Sequence, residues 1–138
     1  MRPAIISAKA LEKKKILLVD DDAENRFSIS KILETQKAEI IHATNGKEAI
    51  EAWKNNKDIS LILMDMMMPE MNGCEAISEI RKLENGGNIP IISLTARNHA
   101  DEREKCISNG ASDYVSKPID ADLLISLIKI WILNSDKK

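Results

Sequence analysis

Acidic, hydroxyl and basic side chains lie at the ends of short segments that predict strands. In chain order they are Asp20 at the end of 15–20 with Asp21 after it, Asp65 at the end of 59–65, Thr95 at the end of 89–95, and Lys117 after 113–116. Two carboxylates about 5 Å apart at an effective dielectric near 20 repel by roughly 3 kcal/mol, so an acidic cluster needs a compensating cation. Carboxylate oxygens suit Mg²⁺. An aspartate in such a site, beside a lysine and a hydroxyl, has the groups for phosphoryl transfer onto a carboxylate.

Each of these residues has an ordinary explanation when it is taken alone. Asp22, the third acid of the first group, is expected to cap the following helix. Thr95 alone is consistent with another cap, and Lys117 alone with a surface lysine. Three acids in a row exceed what a cap requires, and the joint occurrence of acids, hydroxyl and lysine at four strand ends favours a functional site.

Other site motifs are absent from the sequence. Position 41 lacks the glycine that a phosphate-binding loop ending at Gly46-Lys47 would need, and no GxGxxG or GxSxG is present. His42 and His99 have no partners at zinc spacing. Methionines 66–68 are expected to pack in a loop and the core, because a thioether is a poor ligand for a hard ion.

Three apolar runs and two weaker segments predict five strands, and the segments between them predict helices. The runs at 15–20, 59–65 and 89–95 are nearly continuous, which is typical of strands covered on both faces, and the weaker segments are 39–43 and 113–116. Apolar residues at helical spacing follow each of the first three strands. In the segment after the first strand they are Phe27, Ile29, Ile32 and Leu33. Asn45 and Glu48 predict a capping box, while Gly86-Gly87 and Gly110 predict helix ends. Right-handed crossovers then give an α/β fold, a doubly wound five-stranded parallel sheet with helices on both faces.

The composition limits the size and the partners of this fold. The 138 residues are 43% hydrophobic and 30% charged, as expected for one globular domain. We predict an N-terminal leader at 1–14, the domain at 15–133 and a tail at 134–138. The net charge of −2 favours neither direct nucleic-acid binding nor membrane attachment. Cys74 and Cys106 are far apart and match no metal spacing, which indicates a reducing, cytoplasmic compartment.

Four stretches of the sequence resemble the response-regulator receiver domain of two-component signalling. They are ILLVDDD at 16–22, MDMMMPEMNG at 64–73, PIISLTA at 90–96 and GASDYVSKP at 110–118, and the resemblance extends from about Lys15 to Leu133. It implies a flavodoxin-like (βα)5 fold. It also implies a phosphorylated signalling switch that assists its own phosphorylation and dephosphorylation, and not a metabolic enzyme.

The resemblance implies a metal site beside the phosphoacceptor. By that resemblance Asp65 accepts the phosphoryl group and also contacts Mg²⁺, for which Mn²⁺ can substitute. Asp21 is the direct ligand, and Asp20 acts through water. Met67 contributes its backbone carbonyl, so its side chain need not be polar.

The resemblance also implies a switch. Thr95 is drawn toward the phosphoryl group, and Tyr114 swings inward as its partner. Lys117 pairs with the phosphoryl group, and the Lys117–Pro118 peptide bond is expected to be cis. The face formed by the fourth helix, the fifth strand and the fifth helix is expected to signal to a downstream target protein.

The resemblance implies a phosphodonor but leaves the larger protein open. The donor is a histidine kinase, a histidine phosphotransfer protein or a small molecule such as acetyl phosphate. The initiating Met, basic leader and polar tail favour a single-domain regulator, whereas the motif style is similar to receiver modules of hybrid histidine kinases. A haloacid dehalogenase-type phosphohydrolase would need an acid where Met67 stands, and a flavodoxin-like cofactor binder would need a phosphate loop after the first strand.

The last helical segment is unusually apolar. A stripe made of Leu123, Leu124, Leu127, Ile128 and Trp131 is expected to pack on the sheet. Ile125 and Ile132 lie seven residues apart on one flank. We therefore predict an output or homodimer face at these two residues.

Overall fold

The computed structural model describes residues 11–56, 58–66, 68, 73–83, 87–95, 104, 107–108 and 110–136. Five strands form one sheet, and they are β1 (Lys15–Val19), β2 (Glu39–Ala43), β3 (Ile59–Asp65), β4 (Ile91–Thr95) and β5 (Asp113–Ser116). All neighbours pair in parallel, in the order β2-β1-β3-β4-β5. The chain starts near the middle of the sheet and winds outward in both directions, so the predicted doubly wound, flavodoxin-like sheet is confirmed.

Four helices connect or follow these strands in the described residues. They are α1 (Ala23–Glu34), α2 (Gly46–Asn55), α3 (Gly73–Lys82) and α4 (Ala121–Asp136). The last of them, α4, corresponds to the fifth helical segment of the sequence, because the fourth segment is described only at positions 104, 107 and 108. In the described part of the chain, none of the helices has the length and apolar character to cross a membrane.

Two helices begin at predicted caps. Asp22 Oδ1 accepts a hydrogen bond from the Glu24 backbone N–H at 2.9 Å, and Asn45 Oδ1 accepts one from the Glu48 N–H at 2.8 Å. The Glu48 carboxylate in turn accepts hydrogen bonds from the Thr44 hydroxyl at 2.7 Å and the Thr44 N–H at 2.6 Å. These hydrogen bonds from Thr44 hold the pKa of Glu48 below its ordinary value. The predicted capping box is therefore present, with Thr44 as the donor in place of Asn45.

The sheet carries an apolar layer on each face. The α2/α3 face contains Leu17, Val19, Ile62, Met64 and Ile91, packed on Trp53, Ile77 and Ile80. The α1/α4 face contains Ile16, Leu18, Leu63, Ile92, Leu94 and Val115, packed on Ile29, Leu33, Leu124 and Ile128. Alternate side chains of the three central strands thus enter opposite layers. This double burial explains why their sequences are almost continuously apolar.

The buried stripe of α4 differs from the predicted one. The helix buries Leu124, Ile128 and Ile132 in the α1/α4 layer, and Ile125 packs partly buried beside them. The exposed apolar side chains are instead Leu123, at 50% exposure, and Ile130, at 52%. The predicted surface face at Ile125 and Ile132 is therefore wrong. Apolar residues lie almost all round this helix, so periodicity alone does not decide which stripe contacts the sheet.

Two further positions differ from the prediction. Leu11, which we placed in the leader, is buried in the α1/α4 layer, so the folded domain begins before Lys15. Phe27, expected on the apolar face of α1, is 63% exposed, and the Lys31 ammonium lies 5.1 Å from its ring centroid. The buried face of that helix contains Ile29, Ser30 and Leu33, and Phe27 lies outside it.

Candidate functional site

Three carboxylates meet at the carboxyl edge of the sheet. Val19 of β1 pairs in register with Met64 of β3, so the residues that follow them, Asp20 and Asp65, lie side by side. One oxygen from each of Asp20, Asp21 and Asp65 lies within 4.8 Å of the others. Asp20 and Asp65 are buried, whereas Asp21 is exposed. The acidic cluster expected from the sequence is therefore accessible from solvent at Asp21.

Asp20 is held in place by its surroundings. Its backbone N–H donates to the Ala43 carbonyl at 3.1 Å, and its Oδ1 accepts from the Asp22 N–H at 2.9 Å. The Arg26 guanidinium donates to its carbonyl oxygen at 2.6 Å. Oδ2 is buried, and no hydrogen bond reaches it from the described residues. Such an oxygen is costly to bury unless a cation compensates it.

Lys117 brings a positive charge to the two buried carboxylates. Its Nζ lies 3.3 Å from Asp65 Oδ1 and 3.8 Å from Asp20 Oδ2. Its backbone N–H donates to the Thr95 carbonyl at 2.8 Å, which extends the pairing of β5 with β4 by one residue. The peptide bond to Pro118 is cis. Strand pairing therefore places Lys117 against Asp65, although 52 residues separate the two in sequence.

Thr95 and Tyr114 lie on the other face of the sheet. Because side chains alternate along a strand, Asp65 and Lys117 follow Leu63 and Val115 on the α1/α4 face. Thr95 and Tyr114 instead share the α2/α3 face, and Thr95 is fully buried. The Thr95 hydroxyl lies 3.5 Å from the Val115 carbonyl, which is long for a hydrogen bond. A hydroxyl so weakly held can turn toward the carboxyl edge at little cost.

Two residues contribute to the site that the sequence reasoning did not assign. Arg26 fixes the Asp20 carbonyl, and no local pattern distinguishes it from any other basic residue in a helix. Gly73 begins α3 so close to β3 that an added Cβ would lie 2.5 Å from the Asp65 carbonyl oxygen. Its N–H donates to the Met66 carbonyl at 3.3 Å. The Asn72-Gly73 pair is a common turn signal in sequences, and it marks the position of this close approach.

The donor set fits a divalent cation. Three carboxylates converge, and the buried Asp20 Oδ2 accepts no hydrogen bond from the described part of the chain. A hard cation with oxygen ligands satisfies both features. The remaining predicted ligand, the Met67 carbonyl, lies outside the described residues. The buried methionines at 66 and 68 pack in the α2/α3 layer, as expected from their chemistry.

Comparisons with known proteins agree with this geometry. The family model described as the response regulator receiver domain matches residues 16–129. Hybrid signal transduction histidine kinase I of Dictyostelium discoideum is 36% identical over 133 residues, which cover 92% of this chain and 8% of that protein. An uncharacterised 14.6 kDa protein of Leptolyngbya boryana is 35% identical over 125 residues, which cover 91% of this chain and 95% of that one. The chain thus spans a small part of one relative and nearly all of another.

Solved structures share the fold. The receiver domain of a sensor histidine kinase from Pseudomonas aeruginosa superposes with a TM-score of 0.81 and 33% identity, covering 87% of this chain and 98% of that one. That protein was solved with a magnesium ion coordinated in its active-site cleft. The family match covers most of the chain, and the sheet order and acidic edge agree with it. This chain therefore belongs to the response regulator receiver domain family.

Proposed function

We propose that this receiver domain accepts a phosphoryl group on Asp65 in a Mg²⁺-dependent reaction, with Mn²⁺ able to replace Mg²⁺. The observation that carries the proposal is the convergence of Asp20, Asp21 and Asp65 within 4.8 Å, together with the Lys117 ammonium 3.3 Å from Asp65. The donor is a phosphohistidine of a histidine kinase or phosphotransfer protein, or a small acyl phosphate. Such a switch acts in signalling at a cytoplasmic location, in line with the cysteine usage.

The side chains have distinct tasks in this transfer. Asp65 attacks phosphorus through a carboxylate oxygen, while the bond from phosphorus to the donor nitrogen breaks and leaves its electron pair on that nitrogen. Lys117 stabilises the negative charge on the transferring oxygens and offsets the charge of Asp65 before the reaction. Asp20, Asp21 and the Met67 carbonyl would hold Mg²⁺, which supplies further charge neutralisation to the phosphoryl oxygens. Arg26 keeps the Asp20 backbone in position.

Phosphorylation then acts as a switch on neighbouring elements. A phosphoaspartate adds a charge of about −1.5 to −2 and new acceptor oxygens. The Thr95 hydroxyl, held at 3.5 Å from Val115, turns toward these oxygens, and Tyr114 moves with it. The signal leaves through the face of the fourth helical segment, β5 and α4. On α4, Leu123 and Ile130 replace Ile125 and Ile132 as the exposed apolar residues. A downstream protein or a second copy of this chain is the recipient.

Two kinds of protein could contain this domain. A single-domain regulator is supported by the relative of nearly equal length, and a receiver module of a hybrid histidine kinase by the longer relative. Both forms use the same site. Phosphotransfer profiling against the histidine kinases of the source genome separates them, because the fastest donor is the kinase of the same polypeptide for a hybrid receiver and a separate protein for a single-domain regulator.

The direct test replaces the acceptor. Wild type and Asp65→Asn are incubated with labelled acetyl phosphate and Mg²⁺, and hydroxylamine-labile label on the protein is counted. We expect labelling of the wild type, none of Asp65→Asn and none of wild type with EDTA. Asp22→Asn, which removes an acid from the same loop but outside the cluster, is expected to label normally. Label that persists in Asp65→Asn refutes the proposed acceptor.

A further inference from the structure

Ser93 is a buried polar residue in the middle of an otherwise apolar strand. It is fully buried in β4, whose other members before Thr95 are isoleucine and leucine. Its hydroxyl oxygen has no hydrogen-bond partner among the described residues. A buried hydroxyl without a partner destabilises the fold that contains it. A conformation that supplies a partner would therefore be favoured at this position.

The register of the sheet identifies the side chains beside Ser93. It pairs with Met64 of β3 on one side and with Tyr114 of β5 on the other. Paired residues on parallel strands share a face, so all three belong to the α2/α3 face. Tyr114 is partly exposed and lies on the edge strand of the sheet. The polar residue paired with Ser93 on that face is thus a tyrosine that has access to solvent.

The size of Ser93 matters as much as its hydroxyl. The two residues before Ser93 on β4 are isoleucines, and Ile91 shares its face. An aliphatic side chain at 93 would occupy the surface of the sheet next to Tyr114. Serine has a small side chain and leaves space above β4, so the ring of Tyr114 can lie across β4 in a second staggered rotamer. In that rotamer the Ser93 hydroxyl can donate to the ring face or bond the phenol oxygen.

We propose that Ser93 is a positioning residue that receives the Tyr114 ring when Asp65 is phosphorylated. The inference rests on the proposed function, because phosphorylation must draw Thr95 away before the Tyr114 ring can lie across β4. Ser93 contributes a space and a hydrogen bond to the inward state of Tyr114, and it touches neither the phosphoryl group nor the cation. The side chain at position 93 thus determines how far the Tyr114 ring can move inward.

Tyr114 is the only tyrosine of the chain, which makes the test specific. The full chain is labelled with 3-fluorotyrosine, and its ¹⁹F signal is followed with Mg²⁺ alone and with Mg²⁺ plus beryllofluoride. Ser93→Ala removes the hydroxyl but keeps the space, and Ser93→Val fills the space. Ile92→Val is the matched control, because Ile92 precedes Ser93 but lies in the α1/α4 layer.

We expect beryllofluoride to shift the Tyr114 signal in wild type and Ile92→Val. In Ser93→Ala the ratio of inward to outward Tyr114 should fall about fivefold, the factor for a net hydrogen bond of about 1 kcal/mol. In Ser93→Val the ratio of inward to outward Tyr114 should fall by about tenfold or more, because the valine side chain fills the space that the ring needs. The signal of bound fluoroberyllate should remain. If Ser93→Val does not fold, Ser93→Ala decides the question by the same measurement.

The outcomes separate this inference from the proposed function. A Tyr114 response in both Ser93 variants equal to that of wild type overturns the role of Ser93. A wild type that binds fluoroberyllate without any Tyr114 shift also overturns it, and leaves the acceptor role of Asp65 intact. Fluoroberyllate that fails to bind wild type, or that binds Asp65→Asn equally well, overturns the proposed function and this inference with it.

Discussion

Asp21→Asn is expected to stabilise the protein in the absence of divalent cations. The Asp21 carboxylate oxygen lies within 4.8 Å of those of Asp20 and Asp65. At that distance one pair of charges repels by about 0.9 kcal/mol in bulk water and about 3.5 kcal/mol at an effective dielectric of 20. Asp21 is exposed, so the lower value applies more closely. Removing its charge relieves two such pairs, about 1.7 kcal/mol, and the Lys117 charge offsets part of this, so the free energy of unfolding should rise by about 1 kcal/mol.

Magnesium should reverse the order of stability. A ligand that binds only the folded state stabilises it by about 1.4 kcal/mol at ten times its dissociation constant. The wild type gains this amount, whereas Asp21→Asn loses a proposed ligand and gains much less. The order of the two free energies of unfolding should therefore change. The variant should be more stable in EDTA, and the wild type should be equally or more stable in saturating Mg²⁺.

Urea unfolding, followed by far-UV circular dichroism at pH 7, measures both effects. Asp22→Asn is the control, since it removes the same charge from the same loop, and asparagine retains the cap to Glu24. Its free energy of unfolding should change by less than about 0.5 kcal/mol. An Asp21→Asn variant that is less stable than wild type in EDTA, or that Mg²⁺ stabilises equally, would refute the electrostatic reasoning.

Two further predictions concern a cap and the packing of α4. Glu48→Gln should be less stable than wild type at pH 7. Hydrogen bonds from Thr44 depress the folded-state pKa of Glu48, so this contribution is present above the unfolded-state pKa and is lost as pH falls through the folded-state pKa. Urea titrations from pH 7 to 3 should show the difference vanishing, and a constant difference would argue against ionisation as its source. Leu124→Ala should cost about 2 to 5 kcal/mol and Leu123→Ala under about 1 kcal/mol, because the first is buried and the second half exposed; equal losses would contradict the observed docking of α4.

Strand positions and helix caps could be predicted well because they depend on local features. The runs at 39–43, 59–65 and 113–116 match β2, β3 and β5 residue for residue. The cap at Asp22 forms within two residues of chain. The strand predicted from 89 begins at Ile91, because Pro90 has no backbone N–H for pairing.

Features that depend on docking could not be read from local patterns. In α4, apolar residues cover most of the circumference, and packing against β3 and α1 decides that Ile132 is buried and Leu123 exposed. Leu11 has the sequence context of a leader, and only the folded chain shows that it is buried in the same layer as Leu33. The cost of an apolar surface depends on what covers it, and the sequence does not contain that information locally.

The sequence by itself determined the chemistry at the strand ends, since acids, hydroxyl and lysine stand at the ends of short segments whose patterns predict strands. The tertiary structure decided how these groups meet. Parallel pairing of β1 with β3 aligns Asp20 with Asp65, and the position of β5 beside β4 brings Lys117 to 3.3 Å from Asp65. The same pairing leaves the Ser93 hydroxyl buried beside Tyr114, without a hydrogen-bond partner in the described part of the chain. These distances arise from strand register, a long-range property that becomes defined only when both faces of the sheet are covered.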